Sequence, residues 1–168
     1  MKVLHPVGRG RIDEKLATEQ VVLELRMASV RVISKLVTGP DGYLDFVASE
    51  WGTEDLVVLE DDKVPTAWDL VGLMACTAPW CLFPYKPQGG VENLAEWLEN
   101  RTFALGLARF SLEAQLAVPT SAWLTHLRHK EPGREGQVML DRAIEVPMRE
   151  RVGPAHVHPR FITHNHRV

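Results

Sequence analysis

The stretch Leu56-Val57-Val58-Leu59-Glu60-Asp61-Asp62 constrains this chain more than any other, because four consecutive apolar residues run straight into three consecutive carboxylates. Four residues are too few for a free-standing helix, and the run is bounded by Gly52-Thr53 before it and Pro65 after it. That pattern predicts a short strand buried on both faces. Three adjacent acids at the end of a buried strand repel one another, so the fold needs a compensating cation there. Hard divalent ions such as Mg²⁺ or Mn²⁺ take carboxylate oxygen, and Mg²⁺ is commonly held by one or two carboxylates together with substrate phosphates. The carboxyl ends of strands are also where ligands sit in open α/β sheets. An acidic turn that solvates itself has the same spelling, so the triplet by itself leaves metal binding open.

A length of 168 residues fits one domain with a sizeable core. The 45% hydrophobic and 24% charged content places the chain among ordinary globular proteins. A net charge of −3 argues against a general electrostatic grip on nucleic acid or on an anionic membrane. No apolar run reaches the roughly 18 residues of a membrane span, and no charged-then-apolar leader opens the sequence, so cytoplasmic residence is the expectation. Cys76 and Cys81 form no zinc-spaced set with other thiols and read as small core residues.

Around the central run, strand and helix signals alternate. Met1 to Leu4 predicts a first strand ended by His5-Pro6-Val7-Gly8, and Gly8-Arg9-Gly10-Arg11 is a basic loop. That loop could meet phosphate, but no Gly-Lys-Ser/Thr follows to make it a P-loop. A helix is expected over 13–26, a strand from Val30 to Val37, and a helix from Asp41 to Trp51 with Gly52 as its C-terminal cap. The central strand is thus reached through a βαβ unit, which implies parallel strands and a right-handed crossover. Thr66-Ala67-Trp68-Asp69 is a capping box, with Asp in place of Glu, for a helix broken at Ala78-Pro79. Trp80 to Phe83 reads as a strand, 86–100 as a mobile insertion holding a short helix, and Phe103 to Phe110 as another strand. Ser111 caps a helix through Leu116; helices over 121–129 and 135–145 flank a Glu131-Pro132-Gly133 turn. The sum is an α/β fold: a mainly parallel central sheet flanked by helices.

Four of the seven histidines, His156, His158, His164 and His166, crowd the last 13 residues. Such a tail is solvated by default, yet Phe161-Ile162 between the two pairs is apolar enough to pack. Imidazole could complete an oxygen-rich site begun by Asp62, and His-x-His puts two rings on one side of a strand. The spacing matches neither a Cys₂His₂ finger nor His-Glu-x-x-His.

Taken together, these segments resemble nucleotide-sugar glycosyltransferases of the GT-A fold. Val58-Leu59-Glu60-Asp61-Asp62-Lys63-Val64-Pro65 looks like their DXD region, Ala104 to Ser111 resembles their glycine-containing strand, and the histidine-rich end resembles their C-terminal metal ligand. The resemblance runs over residues 30–166, and the acidic triplet is its sharp part. It implies a Rossmann-like, three-layer single domain over 1–168, with a reduced nucleotide- and metal-binding half at 1–65 and an acceptor-side half at 66–168. By position it makes Asp62 the direct ligand of Mn²⁺ or Mg²⁺, joined by His158 or His164. Glu60 and Asp61 would hold the ribose or metal-bound water, with Arg9 on the donor side. In an inverting reaction of this hexosyltransferase type, Asp141 would be the base, with Glu135 and Glu145 nearly as eligible. Trp80, Tyr85 and Arg109 are substrate-side candidates, aromatics of this kind being more often core.

Only 59 residues precede Glu60, fewer than the family's full nucleotide-binding half, so the base-binding loop is short or missing. So short a half would gain from a homodimer. The expected partners are a nucleotide-sugar donor and an acceptor the sequence does not specify. Two other readings stay open: a degenerate GT-A-like binding module, and a metal-dependent phosphoester hydrolase.

Overall fold

A computed structural model describes residues 1–8, 12–39, 41–84, 105–128, 130, 135–136 and 138–164, with backbone alone at 12–15 and 163–164. The expected βαβ unit is present as β1 (Lys2–Val7), α1 (Ile12–Met27) and β2 (Arg31–Leu36). α2 (Gly42–Glu50) then leads to β3 (Leu56–Leu59), the apolar run before the acids. Gly52 stands just past α2 with φ +76, a left-handed conformation that glycine adopts without strain.

β1 pairs in parallel with β2 on one side and with β3 on the other. The strand continues past His5-Pro6 because β3 accompanies it only over Lys2–Leu4. Beyond Leu4 one flank of β1 is an edge, and an edge tolerates a residue without an N–H. On its other flank β3 pairs antiparallel with β6 (Leu107–Phe110), which pairs antiparallel with β5 (Trp80–Leu82). β7 (His156–Val157) closes the six-stranded sheet parallel to β5, in the order β2-β1-β3-β6-β5-β7. The sheet is therefore mixed: β6 runs against the other five strands.

Both faces of this sheet are covered, and the strands alternate between two cores. Leu56, Val58, Leu4, Leu82 and Phe110 pack with Phe46 and Val47 of α2 and with Leu140, Ile144 and Met148 of α5 (Leu140–Arg151). Val57, Leu59, Val3, Cys81 and Leu107 pack instead with Val21, Val22 and Leu25 of α1 and with Leu70 and Leu73 of α3 (Ala67–Ala75). All four residues of β3 are at most 1% exposed, as a doubly covered strand requires.

The capping box of α3 is present. Thr66 Oγ1 accepts from the Asp69 N–H at 3.3 Å while Asp69 Oδ2 accepts from the Thr66 N–H at 2.7 Å. Thr66→Ala removes the first bond, with an expected loss of about 1 kcal/mol, read as a fall of roughly 2–4 °C in a thermal melt. Ser111 caps α4 (Leu112–Ala117) in the same way, accepting from the Ala114 N–H.

Two helices expected after Pro119 differ from what forms. Residues 121–128 make only the end of a 3-10 turn (Thr120–Ala122) followed by irregular chain, residue 129 lies outside the described residues, and the helix expected from 135 begins at Leu140. The cause is non-local: Arg128 and Val138 form an antiparallel bridge, and Gly136 turns the chain with φ +78. α5 passes through Pro147 without a break. The Ala143 carbonyl, which Pro147 cannot bond, accepts instead from the Leu124 N–H at 3.3 Å. The insertion over 86–100 and the 131–133 turn lie outside the described residues.

The C-terminal segment is tied down. After β7, β8 (Thr163–His164) pairs antiparallel with β4 (Lys63–Val64), the two residues directly after the acidic triplet.

Candidate functional site

β3 delivers its acids to the carboxyl edge of the sheet where β1 and β3 lie side by side. From β1 the chain goes to one side through α1 and returns to the other through α2. The β1/β3 boundary is therefore a topological switch point, the place where open α/β sheets receive ligands. Gly8, directly after β1, donates its N–H across that boundary to Asp61 Oδ2 at 2.8 Å. The ladder continues one residue past β3, since the Glu60 N–H bonds the Gly106 carbonyl at 2.9 Å.

The three acids do not gather at one point. Among the described residues no three carboxylates bring their oxygens within ligand distance of one another. Asp61 turns toward β1, while Glu60 turns toward the α2 side, where Glu60 Oε1 accepts from the Tyr43 hydroxyl at 3.0 Å. The compensating cation is partly built in. Lys63, 2% exposed, places Nζ 3.0 Å from Glu60 Oε2 and 2.5 Å from Asp62 Oδ1. Burial works against the charge of this ammonium, but Glu60 and Asp62 together outweigh it and hold its pKa above the usual lysine value.

Gly106 makes room for this ion pair. A Cβ there would overlap Lys63 Cε and stand 2.7 Å from Glu60 Oε2. Gly106→Ala is expected to push the Lys63 chain aside and destabilise by about 1–3 kcal/mol, as overpacking does. The shift of a denaturant midpoint checks it.

Asp141, in the first turn of α5, closes the group. Its Oδ1 accepts from the Leu105 N–H at 3.0 Å. Burial first, and then the Glu60 carboxylate, push Asp141 up to about 7, against the opposing pull of the Leu105 N–H and Lys63. The Tyr43 hydroxyl is raised well above its ordinary value by burial, then by Glu60 and Asp141. Glu60, Asp62, Lys63, Tyr43 and Asp141 thus form one electrostatic unit assembled from β3, the following turn, α2 and α5. A half-buried carboxyl poised near neutrality beside fixed charges is the usual condition of a general base.

The other expected site residues fall elsewhere. Trp80 is a core residue, 1% exposed, stacked on Phe110 and donating Nε1–H to the Gly153 carbonyl at 2.9 Å, so neither ring face is open to a sugar. Arg109 serves the amino edge of the sheet. Its guanidinium bonds Asp55 Oδ2 at 2.6 Å and the Ala78 carbonyl at 3.0 Å, both of which precede their strands. His158 stacks on Phe83, and its electrostatic neighbours are His156 and Asp69 rather than the acidic turn. The His164 backbone lies opposite Lys63, next to Asp62, while its side chain is not described. Arg9, Tyr85 and His166 lie outside the described residues. Sequence reasoning missed Tyr43, which reads as a packing residue of α2. It also missed Lys63, whose one local signal is its position three after Glu60.

No family model matches the sequence, and no curated protein matches it either. Among solved structures, the crystal structure of a glycosyltransferase involved in the glycosylation of the major capsid of PBCV-1 superposes with a TM-score of 0.53. That likeness covers 94% of this chain and 82% of that one at 13% identity, so it concerns the fold. The crystal structure of A197 from STIV gives a TM-score of 0.46 at 17% identity, over 75% of this chain and 73% of that one. The chain is an α/β domain with a mixed six-stranded sheet flanked by helices, similar in fold to a glycosyltransferase. No helix among the described residues is long and apolar enough to cross a membrane.

Proposed function

We propose that this chain is a GT-A-type glycosyltransferase that moves a sugar from a nucleoside-diphosphate sugar to an acceptor hydroxyl. The observation that carries the reading is the meeting of Glu60, Asp62, Lys63 and Asp141 at the carboxyl end of β3, beside the β1/β3 switch point. In this reading residues 1–65 hold the donor, and residues 66–168 supply the base and the acceptor side. In this reading Asp62 would hold a hard divalent ion, Mn²⁺ or Mg²⁺, together with substrate phosphates rather than an all-protein cage. When bound, such an ion takes up negative charge on the departing diphosphate. Glu60 is fixed by Tyr43 and Lys63, and in this reading it accepts a hydrogen bond from the donor ribose. Asp141 takes the proton of the acceptor hydroxyl as its oxygen bonds the anomeric carbon and the bond to the diphosphate breaks. A carboxyl near 7 is matched to that transfer at neutral pH.

Lys63 favours a second reading. Because its ammonium already bridges Glu60 and Asp62, a non-catalytic domain could keep this acidic turn with no metal at all. Release of nucleoside diphosphate from a panel of UDP- and GDP-sugars with Mn²⁺ separates the two. Release from at least one donor, abolished in Asp62→Ala, is the expected outcome. Silence with every donor, alongside retained binding of one of them, would establish the binding module instead.

A further inference from the structure

Far from the acidic turn in sequence role, the fold brings both cysteines of the chain to one histidine. Cys76 caps the C-terminus of α3, Cys81 lies in β5, and His158 follows β7. Donor atoms of these three residues all lie within 4.8 Å of one another. We infer that Cys76, Cys81 and His158 form a binding site for a thiolate-seeking d¹⁰ ion, Zn²⁺ by chemical class, distinct from the proposed donor site.

The local packing supports a built site rather than a chance encounter. His158 is clamped by Phe83, ring centroids 4.3 Å apart and planes within 8°, which fixes the imidazole plane. His158 Nε2 is shut off from solvent and has no hydrogen-bond partner among the described residues, an uncommon state for a buried polar atom. Cys81 is fully buried, its Sγ 4.0 Å from the Leu73 carbonyl, whereas Cys76 is half-buried at a helix end. Sulfurs bound at about 2.3 Å in a tetrahedral shell stand roughly 3.8 Å apart, so the group closes on an ion by small rotamer changes. Two sulfurs and one imidazole leave a fourth position for water. Soft thiolate donors select zinc over the hard ions that suit Asp61 and Asp62.

Binding converts both thiols to thiolates and releases their protons. Because those protons must leave, uptake weakens as pH falls. The ion would staple the end of α3 and β5 to the segment after β7. That segment continues directly into β8, the strand paired beside the acidic turn. A metal here would therefore anchor the segment that leads into the β4–β8 pair.

Cobalt spectroscopy on the reduced, chelator-treated full chain tests this. The chain has only two cysteines, and the histidine-rich tail offers no sulfur. A thiolate-to-cobalt charge-transfer band can therefore come only from Cys76 and Cys81. Expected are a saturable band that Zn²⁺ bleaches, and a loss of more than about tenfold in cobalt affinity in both Cys76→Ser and His158→Gln. Circular dichroism verifies that the variants fold. Should Cys76→Ser fail to fold, the wild-type chain still reports, since Zn²⁺ is expected to slow alkylation of both thiols. No sulfur band at saturating Co²⁺, an affinity unchanged by His158→Gln, or alkylation indifferent to Zn²⁺ each overturns the site.

Discussion

Replacing Asp141 with Asn is expected to lower sugar transfer by about 10²–10⁴-fold, the range a positioned general base supplies, while stabilising the fold above neutral pH. Asn keeps an oxygen for the Leu105 N–H, so the geometry at the start of α5 survives. What disappears is a carboxyl that burial and Glu60 hold at about 7. The sign follows from linkage. A carboxyl raised above its unfolded value of about 3.9 binds its proton more tightly when folded. Its contribution to stability is complete below pH ~4 and is lost as pH rises toward 7. Wild type and Asp141→Asn should therefore be similar near pH 4, with the variant ahead by about 2–4 kcal/mol near pH 8. In the wild type kcat/KM should climb with pH through about 7, as Asp141 loses its proton. Denaturant melts at the two pH values and a pH–rate profile check both halves. A variant less stable at both pH values would contradict the proton-holding role of Asp141.

Lys63→Met is expected to be the most damaging single change near the site. Lys63 is buried and bridges Glu60 and Asp62. Met conserves the apolar stem but leaves Glu60 and Asp62 without that ammonium. Breaking a buried pair by removing one partner costs about 3–5 kcal/mol, which for a chain this long corresponds to a fall of roughly 10 °C or more in Tm. The wild-type pair is present throughout the neutral range. Because the Lys63 pKa is raised, its contribution fades only as pH climbs beyond the ordinary lysine range. If the acidic turn also holds a divalent ion, saturating Mn²⁺ should restore part of the loss in Lys63→Met. A loss under about 1 kcal/mol would mean that the pair behaves as an exposed one.

What could be read from sequence divides along the line between local and non-local physics. β3 was legible because four apolar residues between turn signals have few alternatives, and α3 because its capping box is spelled within four letters. The βαβ unit followed from short-range periodicity. The direction of β6 was not legible, since no residue in Leu107–Phe110 encodes whether it runs with or against β3. The start of α5 was missed because the Arg128–Val138 bridge, a tertiary contact, overrides the helical tendency of the residues before Leu140.

The candidate site shows the same division. The acids were visible as a triplet, but their divergence was not: Asp61 goes to Gly8 and Glu60 to Tyr43, partners 53 and 17 residues away. Trp80 and Arg109 have side chains suited to a sugar or phosphate. Residue type does not say which way a strand residue points, and these two serve the core and the amino edge. Cys76 and Cys81 show no zinc spacing by themselves, because the third donor, His158, arrives from the far end of the chain.

The most direct measurement follows thermal unfolding of the full chain with Mn²⁺ and a panel of UDP- and GDP-sugars, for wild type and Asp62→Ala. Ligands that bind only the folded state raise Tm by mass action. The expected result is stabilisation by one nucleotide sugar that requires Mn²⁺ and vanishes in Asp62→Ala. Melting unchanged by every donor, or stabilisation that Asp62→Ala leaves intact, would contradict a donor site at the end of β3.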